Sequence, residues 1–217
     1  HDLNSDMNGA KAITIEKYAR KNNLNFIRFD CRGHGKSEGK YEEFTISDWR
    51  KDLLDIIDNL AKGPQILIGS SMGGWLMMLA AKARPQRIKG MIGLAAAPDF
   101  GKNLYKSLNK KNKKEITTKG ITKYTSYGFS YYLTKKFFIE AEKNRVLKKS
   151  FRFSKSLVLI HGLKDNVVEE DVPRNILKKV TGKNVNIIYL KESDHRLSTE
   201  TDLEMITQSI DYIRKTK

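Results

Sequence analysis

The feature that most constrains the fold is a glycine-framed serine that directly follows an apolar, strand-like run. Residues 65–70 read Gln-Ile-Leu-Ile-Gly-Ser, and Ser71 is the centre of the pattern Gly69-x-Ser71-x-Gly73. A helix-like apolar segment, 73–83, comes next. This order is typical of a nucleophile elbow, a tight strand-to-helix turn that exposes one serine hydroxyl. The pattern predicts that Ser71 is a nucleophile and that the chain is a hydrolase.

The flanking segments make the motif more specific. By chance alone, Gly-x-Ser-x-Gly occurs in roughly 5–10% of chains of this length, so three residues would not suffice. Here the strand before it and the helix after it are both predicted, which is the context that the motif requires. Ser70 offers a second hydroxyl, but only Ser71 occupies the elbow position.

Strand-like and helix-like segments alternate along most of the chain. Apolar strands are predicted at 25–29, 65–70, 88–96, 157–160 and 185–190. Helices are predicted, from apolar residues at helical spacing, at 9–21, 46–61, 73–83, 173–180 and 202–217. This order predicts an α/β fold with a mostly parallel sheet buried between helices. A length of 217 residues fits a single domain over 1–217.

The segment 100–147 interrupts the alternation. It is rich in lysine and in aromatic residues, namely Tyr105, Tyr124, Tyr127, Phe129, Tyr131, Tyr132, Phe137 and Phe138. An insertion between two parallel strands lies over the carboxyl edge of the sheet, where such sheets bind ligands. We expect a helical cap whose aromatic residues line a substrate pocket. The alternative is that they only pack the insertion onto the body.

A serine nucleophile needs a base, and the base needs an orienting carboxylate. His195 follows the predicted strand 185–190, and Asp165 follows the predicted strand 157–160. Carboxyl ends of parallel strands meet at one edge of the sheet, so both side chains are expected near Ser71. The chain order nucleophile, acid, base is that of α/β-hydrolases. We therefore predict that Ser71, Asp165 and His195 form a catalytic triad.

Other residues could take these roles. Asp99 follows the strand 88–96 and is a rival acid, whereas Asp194 is badly placed because it adjoins His195 in sequence. His34 and His161 are expected to shape loops. Cys31 lies beside an arginine and is an alternative nucleophile.

A developing oxyanion needs hydrogen-bond donors. The amide of Met72, directly after the nucleophile, is one candidate because it lies at a helix N-terminus. The amide of Leu3 is the second, because 1–3 stands where the loop after an early strand would be. No metal-ligand cluster, phosphate loop or dinucleotide motif is recognisable, so we expect neither a metal nor a cofactor.

The chain carries 41 lysine and arginine residues against 25 acidic ones, a net charge of +16. The lysines are spread along the chain and are densest at 102–123. This favours a solvated surface, although an anionic membrane or nucleic acid is the alternative partner. A single cysteine excludes an intrachain disulfide. The sequence contains no run of about 18 apolar residues, so no transmembrane helix is predicted.

Several segments resemble the α/β-hydrolase superfamily. The sequence Asp-Cys-Arg-Gly-His-Gly-Lys-Ser at 30–37 resembles its Asp-x-x-Gly-x-Gly-x-Ser loop. The segments 5–12, 49–52, 63–76 and 193–196 resemble, more narrowly, mitochondrial palmitoyl-protein thioesterases that also cleave acyl glucuronides, and their bacterial relatives. The resemblance is weakest across 99–155.

The resemblance implies an α/β-hydrolase fold and a triad of Ser71, Asp165 and His195 acting on acyl thioesters or esters. Two departures stand out. His1-Asp2 replaces the usual His-Gly, and the superfamily's strands before this point are missing from the sequence.

From these observations we expect a serine hydrolase acting on a small-molecule or acylated-protein substrate. No nucleic acid and no transmembrane segment are expected. The compartment would be the cytoplasm in a bacterium and the mitochondrion in a eukaryote. One alternative is a non-catalytic binding protein with a basic surface that keeps the fold. Another is a lipase or aminopeptidase on the same fold.

Overall fold

The computed structural model describes residues 1–126 and 129–216, so Tyr127 of the predicted cap lies outside the described residues. The described helices are α1 Ala10–Lys21, α2 Ile46–Asn59, α3 Met72–Ala83, α4 Gly101–Ser107, α5 Lys110–Lys119, α6 Lys135–Lys143, α7 Val172–Lys179 and α8 Glu200–Lys215. The described strands are β1 Gln65–Ser70, β2 Ile88–Leu94, β3 Ile121–Ser126, β4 Phe129–Thr134, β5 Ser156–Gly162 and β6 Val185–Leu190.

Four strands form a parallel sheet in the order β1-β2-β5-β6. The register aligns their carboxyl ends, because Ser70 pairs with Leu94, Leu94 with Ile160, and Gly162 with Leu190. The loops that leave the sheet after these strands therefore meet at one edge.

The central strands β2 and β5 are buried on both faces of the sheet. In β5, Leu157 and Leu159 join the apolar cluster that includes α2 and α3, whereas Val158 and Ile160 join the cluster that includes α8. This alternation follows from the two-residue period of a strand. The predicted α/β architecture, a parallel sheet between helices, is confirmed.

The predicted strand at 25–29 is wrong, since this segment forms no strand. Its apolar residues fit a strand, but a strand also requires a hydrogen-bonded neighbour. β1 ends the sheet, and no ladder joins it to 25–29. Other bounds differ by a few residues, such as the strand 88–96, which ends at Leu94.

The sequence predicts a helical cap between β2 and β5, but this segment is only partly helical. It contains α4, α5 and α6 together with an antiparallel hairpin of β3 and β4. The hairpin sequences are rich in threonine and tyrosine, which favour strands. Asn112 of α5 donates a 2.8 Å hydrogen bond to the Thr122 hydroxyl and so ties the hairpin to the helix.

Aromatic residues hold this segment on the body of the protein. The ring of Phe137 lies 6.3 Å from that of Trp49 and 6.1 Å from that of Phe100. Trp75 of α3 donates a 3.0 Å hydrogen bond to the carbonyl oxygen of Asn144. Packing is therefore one role of the aromatic residues predicted for the cap.

Candidate active site

Ser71 connects β1 to α3 in a strained backbone conformation. Its φ of 50° and ψ of −112° are rare for a residue with a side chain. Three backbone hydrogen bonds fix it: its amide donates to Leu94 at 2.9 Å, and its carbonyl oxygen accepts from Gly74 and Ala97, both at 3.0 Å. This is the geometry that a nucleophile elbow requires.

Gly69 of the motif and Gly74, one residue beyond it, are required by close approaches of neighbouring atoms. A Cβ on Gly69 would lie 2.2 Å from the carbonyl oxygen of Gly73, so the first turn of α3 leaves no room for it. A Cβ on Gly74 would lie 2.5 Å from the Cβ of Ala96. The turn from β1 into α3 can therefore be this tight only because both positions lack a side chain.

Asp165 and His195 are in direct contact at the carboxyl edge of the sheet. Asp165 follows β5, His195 follows β6, and His195 Nδ1 lies 2.8 Å from Asp165 Oδ2. The amides of Val167 and Val168 donate to Asp165 Oδ1 at 2.8 and 2.9 Å. The Asp165 side chain is fully buried, and that of His195 is 16% exposed.

The Asp165 carboxyl group is held in its ionised form. Burial by itself raises its pKa, but the hydrogen bond from His195 and those from the two amides outweigh burial and leave the pKa below its usual value. An ionised carboxylate only accepts hydrogen bonds, so Nδ1–H of His195 is the donor. Asp165 therefore fixes the orientation and tautomer of this imidazole.

The two rival carboxylates make other contacts. Asp99 accepts hydrogen bonds from the amides of Val146 and Leu147, at 2.8 and 2.9 Å, and burial raises its pKa. Asp194 accepts one from the amide of Arg196 at 2.9 Å. Of the three, only Asp165 forms a described hydrogen bond with His195.

Ser71 and His195 line one cavity of about 1270 Å³. Its walls include Phe100, Leu104, Tyr124 and Tyr131 from the segment between β2 and β5. The cavity also extends along 25–29 and β1, so this volume is larger than that of a pocket at Ser71 alone. Among the described residues, no hydrogen bond joins the Ser71 hydroxyl to His195.

The proposed oxyanion donors lie on neighbouring segments. Met72 is the buried first residue of α3, where helix amides have no partner within the helix. Leu3 lines the cavity, and the backbone of His1 packs on α3, 3.1 Å from where a Cβ of Gly73 would lie. His1 Nε2 also accepts a 3.0 Å hydrogen bond from the amide of Cys31, which helps to fix this segment.

No sequence pattern assigns a role to Asp2 and Lys11, two charged residues beside the site. The ammonium group of Lys11 lies 3.7 Å from the carboxylate of Asp2 and donates a 2.6 Å hydrogen bond to the carbonyl oxygen of Arg196. Burial raises the pKa of Asp2, but Lys11 and other neighbours outweigh this and lower it. No local pattern signals the contact between Lys11 and Arg196, because 185 positions separate them.

The other titratable candidates are buried. Cys31 is 2% exposed, and burial raises the pKa of its thiol to about 12, which disfavours the thiolate that a cysteine nucleophile needs. His34 packs between the rings of His1 and Trp49. His161 is fully buried, with Nε2 3.9 Å from Asp165 Oδ2.

Across residues 1–126 and 129–216, no group of three or more His, Cys, Asp or Glu residues is arranged to hold a metal ion. Within the same ranges, no helix combines the length and apolar character needed to cross a membrane.

The chain is similar in sequence to several proteins named as hydrolases. The model of the family described as "Serine aminopeptidase, S33" matches residues 13–127. Palmitoyl-protein thioesterase ABHD10, mitochondrial, from Bos taurus is 40% identical over 211 residues, covering 95% of this chain and 69% of the relative. The Homo sapiens protein of the same name gives the same identity and coverage. Monoglyceride lipase from Rattus norvegicus is 42% identical over only 70 residues, 29% of this chain and 22% of the lipase.

Several solved structures are also similar to this chain. Alpha/beta hydrolase domain-containing protein 10 from mouse superposes with a TM-score of 0.90 at 36% identity, covering 98% of this chain and 86% of that protein. A protein from Agrobacterium vitis S4 has a TM-score of 0.91 at 27% identity, covering 97% and 84%. Est1E from Butyrivibrio proteoclasticus, at 21% identity and a TM-score of 0.82, covers 99% and 85% and shares the fold.

Proposed function

This chain belongs to the α/β-hydrolase family, in the group of the palmitoyl-protein thioesterase ABHD10, and on that premise we propose that it is a serine hydrolase that cleaves carboxylic esters or thioesters through an acyl-enzyme. The contact between Asp165 and His195 carries this proposal, because an imidazole held by a buried carboxylate is what a serine nucleophile needs. Ser71 at a strained elbow in the same cavity supports it.

The reaction would proceed in two halves. With Nδ1–H of His195 donating to Asp165, Nε2 accepts the proton of the Ser71 hydroxyl as Oγ attacks the carbonyl carbon. The amides of Met72 and Leu3 stabilise the oxyanion. Collapse breaks the bond to the leaving thiol or alcohol, which takes the proton from Nε2, and the acyl group stays on Ser71.

Water then completes the cycle. His195 takes a proton from a water molecule, whose oxygen attacks the acyl-enzyme carbonyl, and the second oxyanion uses the same two amides. When this intermediate collapses, the bond to Oγ breaks and His195 returns the proton to Ser71. The free acid leaves, and neither a metal nor a cofactor takes part.

The segment 100–147 would act as a cap over the acyl group, within one domain that spans 1–217. Leu104, Tyr124 and Tyr131 present apolar and aromatic surface to the cavity, which suits an apolar acyl chain. The substrate would be a small-molecule ester or an acylated protein. The compartment would be the cytoplasm in a bacterium, or the mitochondrion in a eukaryote, as for the mitochondrial relative from Bos taurus.

Labelling with a fluorophosphonate probe, whose phosphorus is attacked by an activated serine with loss of fluoride, tests the proposal. We expect the wild-type protein to label, Ser71→Ala to lose labelling, and the control Ser70→Ala, at the adjacent serine, to keep it. Equal labelling of wild type and Ser71→Ala would refute the proposal. A folded protein that never labels would favour the alternative of a non-catalytic binding protein with a basic surface.

The alternatives within the hydrolases differ in the bond cleaved. Acyl thioesters, simple esters, monoacylglycerols and aminoacyl amides of matched chain length should be compared by kcat/KM. We expect thioesters and esters to exceed the other two. A clear preference for aminoacyl amides would indicate an aminopeptidase, and one for monoacylglycerols a lipase.

A further inference from the structure

The helices α4 and α5 and the start of the hairpin carry an unusual concentration of positive charge. Residues 102–123 contain eight lysines, one acidic residue and no arginine, a net charge of +7 out of +16 for the whole chain. The lysines are Lys102, Lys106, Lys110, Lys111, Lys113, Lys114, Lys119 and Lys123. A tenth of the chain therefore supplies close to half of its excess charge.

Three lysines of α5 point outward as a group. Lys110, Lys111 and Lys114 are exposed and fall within an arc of roughly 100°, opposite the buried Ile116. The one acidic residue, Glu115, accepts a hydrogen bond from Thr122 and pairs with Lys119. In the described part of the chain, no carboxylate lies within ion-pair distance of Lys110, Lys111 or Lys114.

The helix α4 links this charge to the cavity that contains Ser71. Asn103, Leu104 and Ser107 line the cavity, whereas Lys102 and Lys106 are exposed on the other side of the helix. Tyr105, 37% exposed, lies beside them.

Lys113 holds the two helices together. Its ammonium group donates a 3.0 Å hydrogen bond to the carbonyl oxygen of Lys106 and lies 5.9 Å from the centre of the Tyr105 ring. The exposed surfaces of α4 and α5 therefore adjoin. We call the surface formed by Lys102, Lys106, Lys110, Lys111 and Lys114 the lysine face.

We propose that the lysine face docks the protein on an anionic phospholipid membrane, with the cavity beneath α4 close to the lipid surface. Long lysine side chains spread over two helices suit the dispersed, mobile charge of lipid headgroups, and each adds about fivefold to the affinity. The half-exposed ring of Tyr105 suits the headgroup level. The face lacks arginine, whose planar donors suit recognition of nucleic acid bases and phosphates.

This docking does not depend on catalysis, but it fits the proposed function. Long-chain acyl substrates, whether lipids or acylated proteins, are concentrated in membranes because their chains partition out of water. A hydrolase whose cavity opens next to a membrane-bound surface would receive them without their passage through water. Docking would therefore favour long-chain substrates presented in vesicles over short-chain substrates in solution.

Co-sedimentation with vesicles tests the proposal. We expect the wild-type protein to bind vesicles of phosphatidylcholine mixed with phosphatidylserine but not vesicles of pure phosphatidylcholine. Binding should weaken as the salt concentration is raised. The triple variant K110Q/K111Q/K114Q should bind about 100-fold more weakly. The control K178Q/K179Q/K183Q removes the same charge from exposed positions elsewhere and should bind nearly as the wild type does.

Several results would overturn the proposal. Equal losses in the two triple variants would show that total charge, and not this face, drives binding. Equal binding to neutral vesicles would exclude an electrostatic dock. In another outcome, the protein fails to bind anionic vesicles and instead binds a DNA duplex. If K110Q/K111Q/K114Q then lost DNA binding, the lysine face would be assigned to nucleic acid.

The test separates docking from catalysis. Ser71→Ala should bind vesicles as the wild type does, and K110Q/K111Q/K114Q should hydrolyse a soluble short-chain ester at the wild-type rate. A wild-type protein that hydrolyses the soluble ester but does not bind anionic vesicles would refute the docking proposal and leave the proposed function intact. One that docks but does not label with the fluorophosphonate would refute the proposed function alone.

Discussion

The ammonium group of Lys11 donates a 2.6 Å hydrogen bond to the carbonyl oxygen of Arg196, directly after His195. The same group lies 3.7 Å from the carboxylate of Asp2, directly before Leu3. With its side chain only 16% exposed, Lys11 connects the loop of the proposed base to the segment of the proposed oxyanion donor.

Replacing Lys11 with methionine should impair catalysis more than binding. The variant keeps most of the length of the side chain but removes the donor, so both segments lose the contact that positions them. Because misplacement by about 1 Å can cost 100-fold, we expect kcat for a short-chain ester to fall by about 10- to 100-fold with little change in KM. Steady-state kinetics at several ester concentrations measures both.

Lys17→Met is the matched control, since Lys17 is an exposed residue of the same helix. It should leave kcat and KM unchanged. A Lys11→Met enzyme with wild-type kcat would show that the contact with Arg196 does not position the site.

The three candidate carboxylates should respond differently to replacement by asparagine. Asp165→Asn should lower kcat/KM by about 10³- to 10⁴-fold, because an amide cannot hold the required tautomer of His195. Asp194→Asn should change it by less than about tenfold. Asp99→Asn should mainly lower the midpoint of urea unfolding, since Asp99 holds two backbone amides after α6. If Asp99→Asn removed activity in a stable protein while Asp165→Asn did not, Asp99 would be the acid.

Two buried histidines should make the protein less stable in mild acid. Burial lowers the pKa of His34 and of His161 below 6.5. In the unfolded chain both regain their ordinary pKa, so the unfolded state takes up protons first as the pH falls through 6.5. The free energy of unfolding should therefore decrease, by up to about 1.4 kcal/mol per pH unit for each histidine.

Urea unfolding at a series of pH values from about 7.5 to 5.5 measures this effect. The variant His34→Leu should show a shallower dependence on pH than the wild type, because one titrating group is removed. If the two slopes were equal, His34 would not contribute to the acid sensitivity.

The elbow should not tolerate alanine at Gly69. A Cβ there would lie 2.2 Å from a backbone oxygen that cannot move without unwinding α3. We expect Gly69→Ala to lower the free energy of unfolding by more than about 3 kcal/mol, or to prevent folding. In Gly9→Ala, where the added methyl group meets nothing within 4 Å, the change should stay below about 1 kcal/mol. Similar stabilities for both variants would contradict this account of the motif.

Filling the cavity at Leu104 should shorten the acyl chain that the enzyme accepts. Tryptophan is larger than leucine, and Leu104 lines the cavity. Leu104→Trp should lower kcat/KM for a long-chain thioester at least about tenfold more than for a short-chain one. Leu177→Trp, at an exposed position on α7, should not alter this ratio. An unchanged ratio in Leu104→Trp would place the acyl chain elsewhere.

Local patterns predicted much of this architecture. The strands β1 and β6 begin and end where the apolar runs predict, and the helices follow apolar residues at helical spacing. The predicted pair of Asp165 and His195 is in contact, because parallel strands bring their carboxyl ends to one edge. The catalytic roles of Ser71, Asp165, His195, Met72 and Leu3 stay predictions.

What the sequence determined by itself is the order of the four parallel strands and the position of the tight turn at Ser71, since both depend on residues close together in the chain. Tertiary structure decided which segments find partners. The run 25–29 has the composition of a strand but no neighbour to pair with, and Lys11 meets Arg196 only because α1 packs beside the loop after β6. Pairing and burial depend on groups far apart in sequence, so no local pattern encodes them.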